Sequence, residues 1–266
     1  MRRRISMIKL LVTDLDDTLY SWIGFFIPAF YGMLDELSLI LSVPKSDLLD
    51  EYQHVHQEKG SVEYPFATLY LPSVKAAYPG KTKEELLNIL NPVFHKFNSI
   101  RKKKLELYPG VKETLEKIAG MGIKVVGYTD SAEENGFYRL KRLGIDDYFQ
   151  SVYVSDSQFE LPDYLPASEK TQIVHGKKPN PAVIHKICQQ ESVAIGEIVY
   201  LGDSLTKDVY MARRAGALSV LCKYSYNAKG QDELYSKLVA ISHWTATDFE
   251  QEKAIKEICK HVSFIK

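Results

Sequence analysis

The chain has 266 residues, 45% of them hydrophobic, enough for one large or two small domains with a sizeable core. Lys plus Arg equals Asp plus Glu at 34 each, so no chain-wide field points to nucleic acid or an anionic membrane as a partner. No run approaches the roughly 18 consecutive apolar residues of a membrane span. Cys188, Cys222 and Cys259 stand far apart with no CxxC pair, so reduced thiols in a cytoplasmic protein are expected.

The basic leader Met1 to Arg4 is not read as a secretory signal, because the apolar run behind it is short and ends at Asp14. Met7 is an alternative start. Ile8 to Val12 is the first expected strand, and it delivers Asp14, Asp16 and Asp17 to its end, with Thr18 beside them. Isolated buried carboxylates cost several kcal/mol each, so acids clustered there suggest a cation site or a catalytic one. A solvated acidic loop capping a helix is the alternative.

Residues 20–106 show no clear strand and are expected to form helices over Pro28 to Ser42, Pro44 to Lys59, Pro65 to Tyr78 and Thr82 to Lys104, broken at Pro44, Gly60 and Pro79-Gly80. This is a helical insert beside the acidic loop, placed to lie over the strand ends. Its first stretch carries Tyr20, Trp22, Phe25 and Phe26, which either stack on a substrate ring or pack the insert. His54 and His56 lack metal-ligand spacing, and Arg101 to Lys104 and Arg213-Arg214 read as solvated helix faces.

From Leu107-Tyr108-Pro109-Gly110 onward the chain alternates. Apolar runs at Ile123 to Tyr128, Ser151 to Val154, Ile198 to Leu201 and Leu218 to Cys222 lack period-two alternation, as strands buried on both faces do. Between them lie helical patterns such as Val111, Leu115 and Ile118 or Val183, Ile184 and Ile187, with Gly144 and Gly216 at stop positions. The alternation indicates an α/β fold whose parallel sheet is covered on both sides, with ligands at the carboxyl ends of its strands.

Those later strand ends carry chemistry. Thr129-Asp130-Ser131 offers a hydroxyl and backbone N–H groups suited to a phosphoryl oxygen, or a simple helix cap. Lys177-Lys178-Pro179-Asn180-Pro181 offers a lysine able to neutralise phosphate, or a solvated charge before a helix. Asp156 to Gly176, ahead of it, is a long connection, functional or ornamental. Gly202-Asp203 through Asp208 adds acids at a strand end and in the first turn after it, or two more caps.

In order along the chain, Asp14-x-Asp16-x-Thr18, the strand ending in Thr129, Lys178-Pro179-x-Pro181 and Gly202-Asp203-x4-Asp208 resemble the four motifs of the haloacid dehalogenase superfamily. The resemblance implies a doubly wound, Rossmann-like core over residues 1–19 and 107–266 with an α-helical cap over residues 20–106. It implies a Mg2+-dependent phosphatase acting on a small-molecule phosphate monoester, either a sugar phosphate or a nucleoside monophosphate, through an aspartyl-phosphate. Asp14 would be the nucleophile and Asp16 the general acid and base. Mg2+ would be held by Asp14, the Asp16 main-chain carbonyl and Asp203, with Asp208 completing the cluster through water or by holding Lys178. Thr129 and the backbone of Asp130 would hold the phosphoryl group, the Asp130 side chain being turned away as a cap. Lys178 would balance charge, with Lys177 as its neighbour and rival, while Asp17 receives no role. Dehalogenases lack an acid at the position of Asp16, because a halide needs no proton on leaving. A phosphomutase and a non-catalytic phospho-accepting regulatory module are the alternatives.

Overall fold

The computed structural model describes residues 7–61, 63–157, 168–223, 231–241, 250 and 254. The first apolar run forms β1 (Leu10–Thr13), buried throughout. Leu10 and Val12 face one apolar cluster and Leu11 the other, which is why the strand is apolar up to the buried Thr13 at its end.

The chain then leaves the sheet for α1 (Trp22–Leu41), α2 (Lys45–Lys59), a 3-10 turn over Pro65–Tyr70, α3 (Pro72–Ala77), α4 (Lys83–Ile89) and α5 (Asn91–Lys104). Three of the four expected helices change. The first helix starts at Trp22 rather than Pro28, because Ser21 Oγ accepts from Gly24 N at 3.2 Å and Asp17 Oδ1 from Trp22 N at 2.9 Å. With those N–H groups satisfied, Pro28 is carried inside the helix. The third and fourth expected helices each split in two, since Pro72 and Pro92 each sit in the first two positions of a new helix. By length and composition α1 could cross a membrane, but half of its apolar stretch is buried in this fold, and the helix packs chiefly on α5. Trp22 stacks on Phe26 at 4.8 Å, and Phe26 meets Phe97 edge-on, so these rings pack the insert rather than await a ligand.

Among the described residues the remaining strands and α-helices are α6 (Val111–Gly120), β2 (Lys124–Ala132), α7 (Glu133–Leu143), β3 (Ser151–Ser155), β4 (Thr171–Val174), α8 (Pro181–Glu191), β5 (Ile198–Gly202), α9 (Tyr210–Ala215), β6 (Leu218–Leu221) and α10 (Gln231–Ile241). Gly144 and Gly216, at φ 66° and 86°, end α7 and α9 in the left-handed conformation expected of a helix stop. All six strands pair in parallel in the order β4-β3-β2-β1-β5-β6. The chain winds one way from β1 to β4 and the other way through β5 and β6, so β1 and its neighbours border the switch point where such sheets bind ligands. Leu115 of α6 and Leu140 of α7 belong to the cluster on one face, and Ile184 of α8 and Met211 of α9 to that on the other.

Three features depart from the sequence reading. The edge strand β4 lies within the expected long connection, where its four residues, half of them polar, give no apolar run; residues 158–167 of that connection lie outside the described residues. At the opposite edge, Leu218 and Val220 of β6 stay about half exposed, so burial on both faces fails there. α10, grouped by the expected boundaries with the sheet, packs instead on α1 and α2: Tyr31 Oη donates to the Lys237 carbonyl at 3.2 Å, and the ring Nδ1 of His56 bonds the Ile241 carbonyl at 3.0 Å.

Candidate active site

β1 is paired on both sides, with Thr13 level with Gly127 of β2 and Leu201 of β5, so Asp14 emerges where three strands finish together. Its backbone N–H donates to the Leu201 carbonyl at 2.8 Å and fixes the departure of the loop. The Asp14 side chain is 9% exposed. Lys178 Nζ lies 2.5 Å from Asp14 Oδ1 and 2.9 Å from Asp208 Oδ1, and Thr18 Oγ1 donates to Asp14 Oδ2 at 3.1 Å.

Asp208 sits in the turn after β5. Its Oδ1 also accepts from Tyr200 Oη at 3.0 Å, and its Oδ2 from Ser204 N at 3.0 Å. A Cβ at Gly202 would overlap that carboxylate, so the glycine ending β5 is what lets Asp208 reach the strand end. Asp208 therefore holds Lys178, one of the two roles expected for it. Lys177 points elsewhere, donating from Nζ to the Gly60 carbonyl at 2.6 Å. Of the two lysines, Lys178 is the one in the acidic cluster.

One carboxylate oxygen each from Asp14, Asp203 and Asp208 lie within 4.8 Å of one another. Burial raises the Asp14 carboxyl, with Lys178 opposing and Asp208 and Asp203 adding to the rise. Burial and then Asp208 push Asp203 up to about 7. Burial works against the Lys178 charge, but Asp14 and Asp208 outweigh it and hold the ammonium well above the usual lysine range. Three crowded acids with one lysine leave negative charge uncompensated, and an all-oxygen donor set of this kind fits Mg2+.

Asp16, two residues on, turns to a second cluster. Its Oδ1 takes Arg139 Nη1 at 2.6 Å, and its Oδ2 accepts from Thr129 Oγ1 at 3.0 Å and Ser131 Oγ at 2.8 Å. Arg139 lies on α7, its side chain 2% exposed, with its guanidinium 5.2 Å from the ring centre of Phe25. Its Nη2 reaches Glu63 of the insert at 2.8 Å, and Ser131 Oγ lies 3.0 Å from Glu63 Oε2. Burial lifts the Glu63 carboxyl above its usual value, with Arg139 opposing.

Asp130 is turned from the acidic cluster as expected, but it caps no helix. Its Oδ1 accepts the Lys178 backbone N–H at 2.9 Å, and its Oδ2 faces Lys207 Nζ at 3.4 Å, so it anchors the loop that presents Lys178. The cap of α7 is Ala132, without a side-chain bond, because β2 runs on through the Thr129 to Ser131 segment. Asp17, given no role from sequence, takes the first N–H groups of α1; burial, then Asp203 and Asp16, push its carboxyl up to about 8.

Arg139 and Glu63 were not anticipated. Arg139 had a signal: it shares the buried face of α7 with Gly136 and Leu140, and a charge on the apolar side of an amphipathic helix calls for a buried partner. Glu63, in a connection between helices, had none.

Residues 8–216 match the haloacid dehalogenase-like hydrolase family. The chain is 28% identical over 217 residues to a glyceraldehyde 3-phosphate phosphatase of Methanopyrus kandleri, covering 80% of this chain and 83% of that one. It is 27% identical over 250 residues to a phosphoglycolate phosphatase of Nitrosospira multiformis, covering 93% and 97%. The fold is similar to that of a 2-haloacid dehalogenase from Pseudomonas syringae pv. tomato, with a TM-score of 0.58, 21% identity, and coverage of 90% and 100%.

Proposed function

This chain belongs to the haloacid dehalogenase-like hydrolase family and is a phosphatase of small phosphate esters; we propose that it works through an aspartyl-phosphate formed on Asp14. The observation that carries the reading is Asp14 at the end of β1, with Lys178 between it and Asp208 and a second acid, Asp16, two residues on. A carboxylate is a weak nucleophile towards a dianionic phosphate, so nearby positive charge is the first requirement. Lys178 supplies part of it and stays protonated because two carboxylates hold it.

Mg2+, held by Asp14, Asp203 and the Asp16 main-chain carbonyl, with Asp208 behind, would neutralise further phosphate charge and align the ester for in-line attack. An Asp14 oxygen forms the bond to phosphorus as the ester P–O bond breaks, and Asp16 delivers a proton to the departing oxygen. Asp16 then takes a proton from water, whose oxygen attacks phosphorus and releases Asp14 and inorganic phosphate. Thr129 Oγ1 and Ser131 Oγ, both bonded to Asp16, set the direction of its carboxyl. An acid at position 16 favours an ester leaving group, which needs a proton, over a halide, which does not.

Protein supplied with Mg2+ and a panel of sugar phosphates, nucleoside monophosphates and phosphorylated two- and three-carbon acids and aldehydes is expected to release inorganic phosphate. Asp14→Asn keeps the side-chain volume and is expected to lower that release at least about 1000-fold. Phosphate release by Asp14→Asn at the wild-type rate would refute the mechanism.

A further inference from the structure

We propose that Tyr128 and Tyr200 are positioning residues: their ring faces hold the Lys178 ammonium beside Asp14, and Tyr200 also fixes the Asp208 oxygen that Lys178 binds. This rests on the phosphatase reading and deepens it. In the sheet β2 and β5 flank β1, so Tyr128 and Tyr200 stand on either side of the strand that leads to Asp14. Both are fully buried and belong, with Leu10 and Val12 of β1, to the cluster on one face of the sheet. Lys178 Nζ lies over both rings, 5.0 Å from the centre of Tyr128 and 5.6 Å from that of Tyr200.

A lysine ammonium is a compact charge on a flexible four-carbon stem, so its place is set by what surrounds it. The backbone end of Lys178 is anchored by Asp130 Oδ1, 2.9 Å from its N–H, and the ammonium meets Asp14 Oδ1 at 2.5 Å and Asp208 Oδ1 at 2.9 Å. A tyrosine ring attracts such a charge through the negative face of its π-system, and the attraction strengthens where water is excluded. Tyr200 Oη donates to Asp208 Oδ1 at 3.0 Å, the oxygen that accepts from Lys178, so it also fixes the direction of that bond. Tyr128 Oη is buried with no hydrogen-bond partner among the described residues, so the ring face, not the hydroxyl, is what Tyr128 offers the lysine. Val12 and Val126 fill the same cluster with aliphatic side chains, so apolar packing alone does not require a ring at both positions that face the lysine.

The test is kcat and KM, with Mg2+ supplied, for the ester of the panel that the wild type hydrolyses fastest, each variant being checked for folding by urea denaturation. Tyr128→Leu is expected to lower kcat/KM at least about 10-fold, mainly through kcat, and Tyr128→Phe to recover most of that loss. Tyr200→Phe keeps the ring but releases Asp208 and is expected to cost about 3–10-fold, and Tyr200→Leu more. In a Lys178→Gln background, Tyr128→Leu is expected to change kcat/KM less than about 3-fold, because the charge the ring holds is gone; a packing role would lower it in either background. Tyr128→Met takes the place of the leucine variant if that one fails to fold. Equal losses for Tyr128→Phe and Tyr128→Leu, or a loss undiminished in the Lys178→Gln background, would overturn the inference and leave the phosphatase reading standing. If the wild type hydrolyses no ester of the panel, both fall together.

Discussion

Replacing Arg139 with methionine tests whether the buried ion cluster joins the insert to the sheet domain. The guanidinium is 2% exposed and spans Asp16 at 2.6 Å and Glu63 at 2.8 Å, one acid from each unit. Methionine keeps an apolar stem over Phe25 but leaves two carboxylates facing each other across the hydroxyls of Thr129 and Ser131. Removing one partner of a buried pair costs about 3–5 kcal/mol, because the charge left behind is neither solvated nor neutralised. Asp16 and Glu63 are 20% and 11% exposed and draw some water, so the lower end applies, about 3 kcal/mol. For a domain of this size that corresponds to a fall in Tm of about 6–12 °C. Urea denaturation followed by circular dichroism measures the loss, and the double substitution Arg139→Met/Glu63→Gln is expected to recover part of it by removing one of the opposed charges. A loss below about 1 kcal/mol, or a double variant as unstable as the sum of the singles, would refute the account.

Three further outcomes follow from the same geometry. Lys178→Gln is expected to lower kcat/KM at least about 100-fold, and Lys177→Gln less than about 3-fold, since only the first removes a buried charge from the nucleophile; equal effects in phosphate-release assays would contradict the placement of the two lysines. Asp17→Ala is expected to cost about 1 kcal/mol through lost capping of α1, and Asp17→Asn less, because asparagine keeps the acceptor and tolerates the left-handed backbone; urea melts that reverse this order would exclude the capping role. Asp203 sits at about 7, above its unfolded value, so its contribution to stability is complete at low pH and is lost as pH rises through that value. The metal-free protein is accordingly expected to weaken between about pH 4 and pH 7, and Mg2+ to stabilise it more at the upper end, by about 2.7 kcal/mol at a hundredfold excess over Kd; equal stabilisation at both ends would speak against Asp203 as a ligand.

Much of the sheet was legible in the chain because a strand buried on both faces has to be apolar throughout, and the runs at Leu10, Val126, Val152 and Val199 are. Acids and a hydroxyl just past those runs made Asp14, Asp16, Thr129 and Asp203 candidates, while Asp208 and a lysine, Lys178 or its neighbour Lys177, were pointed to by the resemblance of their motifs to a known family. Local chemistry also located the glycine stops at Gly144 and Gly216. Less of the insert could be read, since whether Pro28 starts a helix or rides inside one depends on how earlier N–H groups are satisfied, here by Ser21 and by Asp17 from the acidic loop. The edge strand Thr171–Val174 escaped because an edge needs little apolar surface and leaves no run to find.

The sequence by itself determined the sheet's buried strands and the residue types at their ends, because burial and charge act residue by residue. Only the tertiary structure decided the partners. It separated Lys178 from Lys177, made Asp17 a cap, turned Asp130 to the loop that presents Lys178, and brought Glu63 and Arg139 to Asp16 from positions far apart in the chain. The reason is physical: a buried charge requires compensation, but which distant group supplies it depends on how the helices and the sheet pack, and that is a property of the folded chain as a whole.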